Sequence, residues 1–293
     1  MPSFANRLAA SLMLAATTVA GTASAAGPLT QMRLFAVTES HQLIAVSAAE
    51  PGKIVRSVKL VGLAADERIL GIDYRVAYGT LYALGSSGRV FTVDTETGTL
   101  RPVGSVPFAI ALDGTHFGFD FNPAADRIRI VSARGQNLRA HPETGALIDF
   151  QPDQGGLQPD GALAYDEGDP RHGHAADIVA AGYTYNTENE KLTTNYAIDR
   201  AAGTLARQGS IEGTEPVVSP NSGRLRTVGS LGVRAIVDAH FDISDVTNTA
   251  LAALVTADQP APTLYRIDLA SGQAAVIGKI GAGEALRGLA IEP

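Results

Sequence analysis

The sequence predicts an all-β chain: a β-propeller of about five four-stranded blades, its ring closed by pairing of the C-terminal strand with the N-terminal blade. Three observations carry this prediction. One segment repeats another without a gap, similar glycine corners recur along the chain, and the first unit lacks a strand whose counterpart stands at the C-terminus.

The repeat is the strongest of the three. Residues 71–100, GIDYRVAYGTLYALGSSGRVFTVDTETGTL, fall on residues 118–147, GFDFNPAADRIRIVSARGQNLRAHPETGAL, when the chain is shifted by 47 positions. Gly71 meets Gly118, Asp73 meets Asp120, Gly88 meets Gly135, and Glu96-Thr97-Gly98 meets Glu143-Thr144-Gly145. The matched residues are turn formers and strand formers in register, and units of four short strands at this period are the signature of propeller blades. The first copy reads as strands over 70–75, 80–85, 89–94 and 99–104, with period-two patterning in Val90-Phe91-Thr92-Val93.

Corners resembling T-E-T-G recur at Gly52, Gly98, Gly145, Gly203 and Gly272. Glycine accepts the positive φ of such a turn at little cost. The N-terminal unit, 34–62, holds only three strands, and LRGLAIEP at 286–293 parallels the missing one, ILGIDYRV. Pairing the two ends covers both open edges. A fourth unit is expected to begin at Val179 and a fifth near His240. Residues 151–176 and 211–224 are expected to be long loops, which on a rigid scaffold often carry function.

The first residues predict export. Arg7 is the only charged side chain before Gln31, an apolar Ala-rich stretch follows, and Ala23-Ser24-Ala25 fits an A-x-A cleavage site. The expected division is a signal peptide over 1–26 and a single propeller over 27–293, secreted or periplasmic. The apolar stretch is too short for a comfortable membrane span, and no second one exists. The chain has no cysteine, which excludes disulfides, thiol catalysis and thiolate metal sites. Its net charge of −7 argues against nucleic acid as a partner. A monomer that meets a small molecule or an envelope protein is expected.

The G-F-D-F-N-P, D-R-I-R and Q-N-L-R segments at 118–123, 126–129 and 136–139, with ILGIDYRVAYGTLYALGSSGRVFTVD upstream, resemble the exported bacterial domain-of-unknown-function family 4394 over nearly the whole mature length. The resemblance implies export and a propeller-like repeat fold. It supplies no catalytic residues.

Two constellations carry candidate chemistry. In a propeller the first strand of each blade lines the central channel, and the equivalent positions there are Asp73, Asp120, Thr184, Asp242 and Ala290. Three carboxylates and a hydroxyl converging on one axis suit Ca²⁺ or another hard divalent cation. The structural alternative is that each Asp accepts backbone N–H groups of a following turn. The second constellation is basic: Arg127 and Arg129 share one strand face and Arg139 lies on the next strand, a set that could hold a carboxylate or phosphate ligand or pair with neighbouring acids. His172 and His174 in an H-G-H loop are a weaker transition-metal candidate. No H-E-x-x-H, G-x-S-x-G or phosphate-binding glycine loop is present, so no catalytic residue is named. The function expected is noncatalytic ligand or protein binding. The alternative is a lactonase- or esterase-like hydrolase that uses a metal on the Asp ring.

Overall fold

The computed structural model describes residues 29–293. The proposed signal peptide lies outside the described residues. Five small antiparallel sheets form a ring, each a blade. Their innermost strands are Leu286–Ile291, Ile69–Arg75, Phe117–Asn122, Ile178–Tyr183 and Ile236–Ile243, and each packs beside the next around the axis. Among the described residues no helix is long and apolar enough to cross a membrane.

Blade 1 is built from both chain ends. Leu286–Ile291 pairs antiparallel with Arg33–Thr38, with Phe35 opposite Ala290, and Gln42–Ser47 and Glu50–Lys59 complete the sheet. The ring is therefore closed by the C-terminal strand, as the truncated first unit predicts. Blade 2 holds Ile69–Arg75, Thr80–Gly85, Val90–Val93 and Leu100–Val103, within a residue of the expected boundaries. Blades 4 and 5 begin at Ile178 and Ile236.

Two blades depart from the four-strand plan for one reason. Blade 3 holds only Phe117–Asn122, Arg127–Ser132 and Asn137–Ala140, because the chain leaves the sheet after the Ala140–Leu147 bridge. It crosses to blade 4, where Ala164–Tyr165 adds a parallel fifth strand beside Arg224–Ser230. The segment read as a loop is thus a strap between blades 3 and 4. Of the five corner glycines, Gly98, Gly145, Gly203 and Gly272 have positive φ. Gly52 does not serve as a corner: it lies within Glu50–Lys59, and the turn falls on Ala48 and Ala49.

The core is divided among the blade interfaces. Phe35, Tyr74 and Leu81 pack between blades 1 and 2; Tyr82, Phe119 and Ile128 between 2 and 3; Val131, Ile178 and Leu225 between 3 and 4. Ile198, Phe241 and Leu254 fill the interface of blades 4 and 5, and Leu34, Leu264 and Leu289 that of 5 and 1. Middle strands are covered on both faces, so Leu81–Leu84 are all buried and period-two alternation is lost there. The outer strand Glu50–Lys59, open on one side, is largely exposed.

Candidate metal centre in the channel

The inner strands share a short motif. Blades 2 and 3 read Gly71-Ile72-Asp73 and Gly118-Phe119-Asp120; blade 4 reads Gly182-Tyr183-Thr184 and blade 1 Gly288-Leu289-Ala290. The glycines are required by close approach. A Cβ on Gly118 would stand 2.6 Å from the amide nitrogen of Ala181, and one on Gly288 2.8 Å from that of Ile72. Four of the five inner strands are thereby drawn against the next, which carries the residue two positions later to the axis.

Asp73, Asp120 and Asp242 meet there. Each offers a ligand oxygen, and these oxygens lie within 4.8 Å of one another. All three side chains are buried. Each also binds the inner strand of the following blade: Asp73 Oδ2 accepts Phe121 N–H at 2.7 Å, Asp120 Oδ1 accepts Tyr183 N–H at 3.0 Å, and Asp242 Oδ2 accepts Ile291 N–H at 2.5 Å. The carboxylates are tied across blades rather than folded into their own turns. Thr184 does not complete a ring: its hydroxyl donates to Glu212 Oε2 at 3.1 Å and accepts Thr194 N–H at 2.8 Å. Ala290 offers no oxygen on its side chain.

Three desolvated like charges oppose ionisation. Burial, then the charges of Asp242 and Asp245, hold Asp73 well above the usual carboxylate range. Burial and then Asp73, Asp242 and Asp245 do the same to Asp120, and burial pushes Asp242 up to about 6. Asp245, absent from the sequence-based candidates, is pushed up to about 8 by burial and by Asp242. It lies three residues past Asp242, where the other blades carry Val76, Pro123 and Thr187, so matching like residues between repeats does not reveal it.

A cleft of about 720 Å³ opens where the inner strands end. Its walls include Tyr74, Phe121, Tyr185 and Asp245, so it begins directly beyond the carboxylates. Arg75 crosses its rim, bonded to both oxygens of Asp126 at 2.8 and 2.5 Å and stacked 4.1 Å from the ring of Tyr78. At this size it has the dimensions of a small-molecule site.

The basic strand sits elsewhere. Arg129 and Arg139 are cross-strand neighbours, and both grip the buried carboxylate of Asp160, at 2.5 and 2.7 Å. The remaining nitrogens of Arg129 reach Tyr183 Oη at 3.1 Å and Asn221 Oδ1 at 2.6 Å, and Nη1 also donates to Asn137 Oδ1 at 2.8 Å. Every nitrogen of Arg129 thus has a partner within the fold. Asp160 and Asn221 come from the two segments read as functional loops, and together they fasten those segments to blade 3. Arg127 turns back to Asp126 O at 2.8 Å and does not line the cleft. His172 is held at its Nδ1, 3.1 Å from Tyr165 O, and the H-G-H loop gathers no third acid or imidazole ligand among the described residues.

The family described as Domain of unknown function (DUF4394) matches residues 42–290. A search of the curated proteins gave no match. Among solved structures, TolB from Acinetobacter baumannii is 9% identical with a TM-score of 0.43, covering 89% of this chain and 56% of that one; the chain thus spans little more than half of TolB. A putative 6-phosphogluconolactonase from Bacteroides uniformis is 12% identical with a TM-score of 0.41, covering 86% of this chain and 83% of that one. Likenesses this distant carry no argument about chemistry.

Proposed function

The chain belongs to the family described as Domain of unknown function (DUF4394), and on that footing we propose that it is a noncatalytic binding propeller, which holds a hard divalent cation of the Ca²⁺ class on Asp73, Asp120 and Asp242 and takes a small ligand in the cleft above. One observation carries the reading: three buried carboxylates from three blades place oxygens within 4.8 Å of one another. Oxygens around Ca²⁺ bond at 2.3–2.6 Å and so stand at most about 4.6–5.2 Å apart, a span these three carboxylates meet. A cation also answers the electrostatic problem, since it offsets the repulsion that otherwise keeps these groups protonated. Three carboxylates leave coordination positions for water or for oxygens of a ligand entering from the cleft. Thr184 has no part in this assignment. Arg129 and Arg139 are assigned to structure, because Asp160 occupies them; ligand contacts are expected instead from the cleft walls around Tyr74, Tyr185 and Asp245.

Calcium titration of the folded chain tests the reading. Addition of Ca²⁺ should raise the melting temperature at neutral pH and bind near one equivalent, and Asp120→Asn should abolish both. A wild-type chain that neither binds nor is stabilised by millimolar Ca²⁺ would overturn it.

Asp245 favours a second reading, a metal-dependent lactonase- or esterase-like hydrolase. Asp245 lines the cleft beside the carboxylates, and its burial raises its pKa, the position and the direction wanted of a general acid–base. Ca²⁺-dependent hydrolysis of simple lactones or esters that is lost in Asp245→Asn would select this reading over the first. We also propose that the chain is exported and acts as a monomer.

A further inference from the structure

The channel has a second chemical layer at its other mouth. Counting back along the inner strands from the carboxylate layer, the next channel-facing positions are Gly71, Gly118, Gly182 and Gly288, with His240 in the fifth blade. Two residues further back stand His116 and Asp238. Blade 5 thus reads Asp238-x-His240-x-Asp242 and blade 3 His116-x-Gly118-x-Asp120, so residues on one strand face point down one axis. A small cavity at this mouth, about 20 Å³, is lined by His116, Asp238 and His240 together with Ile69, Val179 and Leu286.

The cavity contains a polar group that the fold does not satisfy. His240 Nε2 is buried without a hydrogen-bond partner, and its side chain is only 11% exposed. Buried polar atoms are nearly always partnered, and an exception calls for a water or an ion. His240 Nε2 lies 3.6 Å from Asp238 Oδ2, and His116 Nε2 lies 3.7 Å from Asp238 Oδ1. These distances exceed a hydrogen bond. Each is close to the edge of a tetrahedral zinc site, where ligands bonded at 2.0–2.1 Å stand about 3.4 Å apart. The two run to different oxygens of Asp238, and the three residues do not yet bring one ligand atom each within 4.8 Å of one another.

We infer that His116, Asp238 and His240 form a second metal site, specific for a borderline transition-metal ion of the Zn²⁺ class and distinct from the hard-cation site above it. Two imidazoles and a carboxylate are a zinc donor set, whereas three carboxylates are a calcium one. The trio is more loosely gathered than the three aspartates, so closing the site requires His116, the most exposed of the three, to swing inward. Arg200 Nη1 lies 3.3 Å from the ring nitrogens of His116, and its charge is offset by a bidentate pair with Asp177 at 2.8 and 3.0 Å. The fourth position is left to water at the channel mouth.

The repeat provides the test. His240→Gly installs the residue that the other four blades carry, so the variant is expected to fold. Co²⁺ titration of the untagged folded chain, read by visible absorption, should show about one tetrahedral equivalent, displaced by Zn²⁺. Affinity should fall at least about 100-fold in His240→Gly and in His116→Gln, and should survive Asp120→Asn and the double change His172→Ala with His174→Ala. The inference is overturned if the wild type gives no tetrahedral band, if both His240→Gly and His116→Gln bind as tightly as wild type, if the H-G-H double variant alone abolishes binding, or if a zinc-soaked crystal shows only water on His240 Nε2.

Discussion

The carboxylate of Asp242, on the inner strand of the last blade, accepts the backbone N–H of Ile291, on the strand that closes the ring, at 2.5 Å. One side chain therefore belongs both to the candidate cation site and to the closure of the fold. Asp242→Ala leaves that N–H without its partner inside the ring, and a loss of about 1–3 kcal/mol is expected from denaturant titration. Asp242→Asn keeps an acceptor and removes a repelling charge. Without Ca²⁺ at pH 8 it should be at least as stable as wild type.

Stability without divalent cations should fall as pH rises. The folded carboxyls of Asp73, Asp120, Asp242 and Asp245 all titrate above the unfolded range, at about 6 for Asp242 and about 8 for Asp245. Above pH 4 the unfolded chain loses these protons while the folded chain keeps them, so their contribution declines until the folded groups have ionised. In EDTA the melting temperature should drop by about 5 °C or more between pH 5 and pH 8. Saturating Ca²⁺ should flatten the profile, and a flat profile in EDTA would contradict the buried, uncompensated state of the cluster.

Removing Asp160 should be severe. Its loss leaves the buried guanidinium of Arg129 unpaired, and breaking such a pair costs about 3–5 kcal/mol. Asp160→Ala should also free the strap between blades 3 and 4. Limited proteolysis should then cut within residues 148–163 at a rate well above wild type.

Gly118→Ala should disrupt packing between blades 3 and 4, because the new Cβ meets Ala181 N at 2.6 Å and Val131 Cγ2 at 2.7 Å. A loss of roughly 1–3 kcal/mol, or more if the strand cannot shift, is expected in thermal or chemical denaturation. Gly79→Ala, whose Cβ meets nothing within 4 Å, should cost only the αL penalty of about 1–2 kcal/mol.

Much of the fold and part of the site could be read in the chain. The 47-residue register aligned Asp73 with Asp120, and likening the first strand of the fifth unit, HFDIS at 240–244, to theirs reached Asp242, because a propeller repeats one strand geometry around an axis. Likening VAAGYTYN at 179–186 to the same strand also placed Thr184 on the ring, where its hydroxyl instead serves Thr194 and Glu212. Register places a Cα; the side chain turns toward whichever partners its neighbours supply. Asp245 has no like residue at its repeat positions, which hold Val76, Pro123 and Thr187, and Asp160 lies in the strap outside the repeat. His240 had a visible signal, the single non-glycine in its layer, once the five inner strands were compared at that position.

By itself the sequence determined the blade count, the closing strand and the axis on which the acids gather, for these follow from local turn chemistry and period-two strand geometry repeated in register. Only the tertiary structure decided which acids share a space and which arginines are already taken. It set the oxygens of Asp73, Asp120 and Asp242 within 4.8 Å, and it carried Asp160 across from the strap into the grip of Arg129 and Arg139. The physical reason is range. Turn and strand preferences act over a few residues, whereas burial, charge repulsion and hydrogen-bond partnership depend on what distant parts of the chain bring to the same few ångströms.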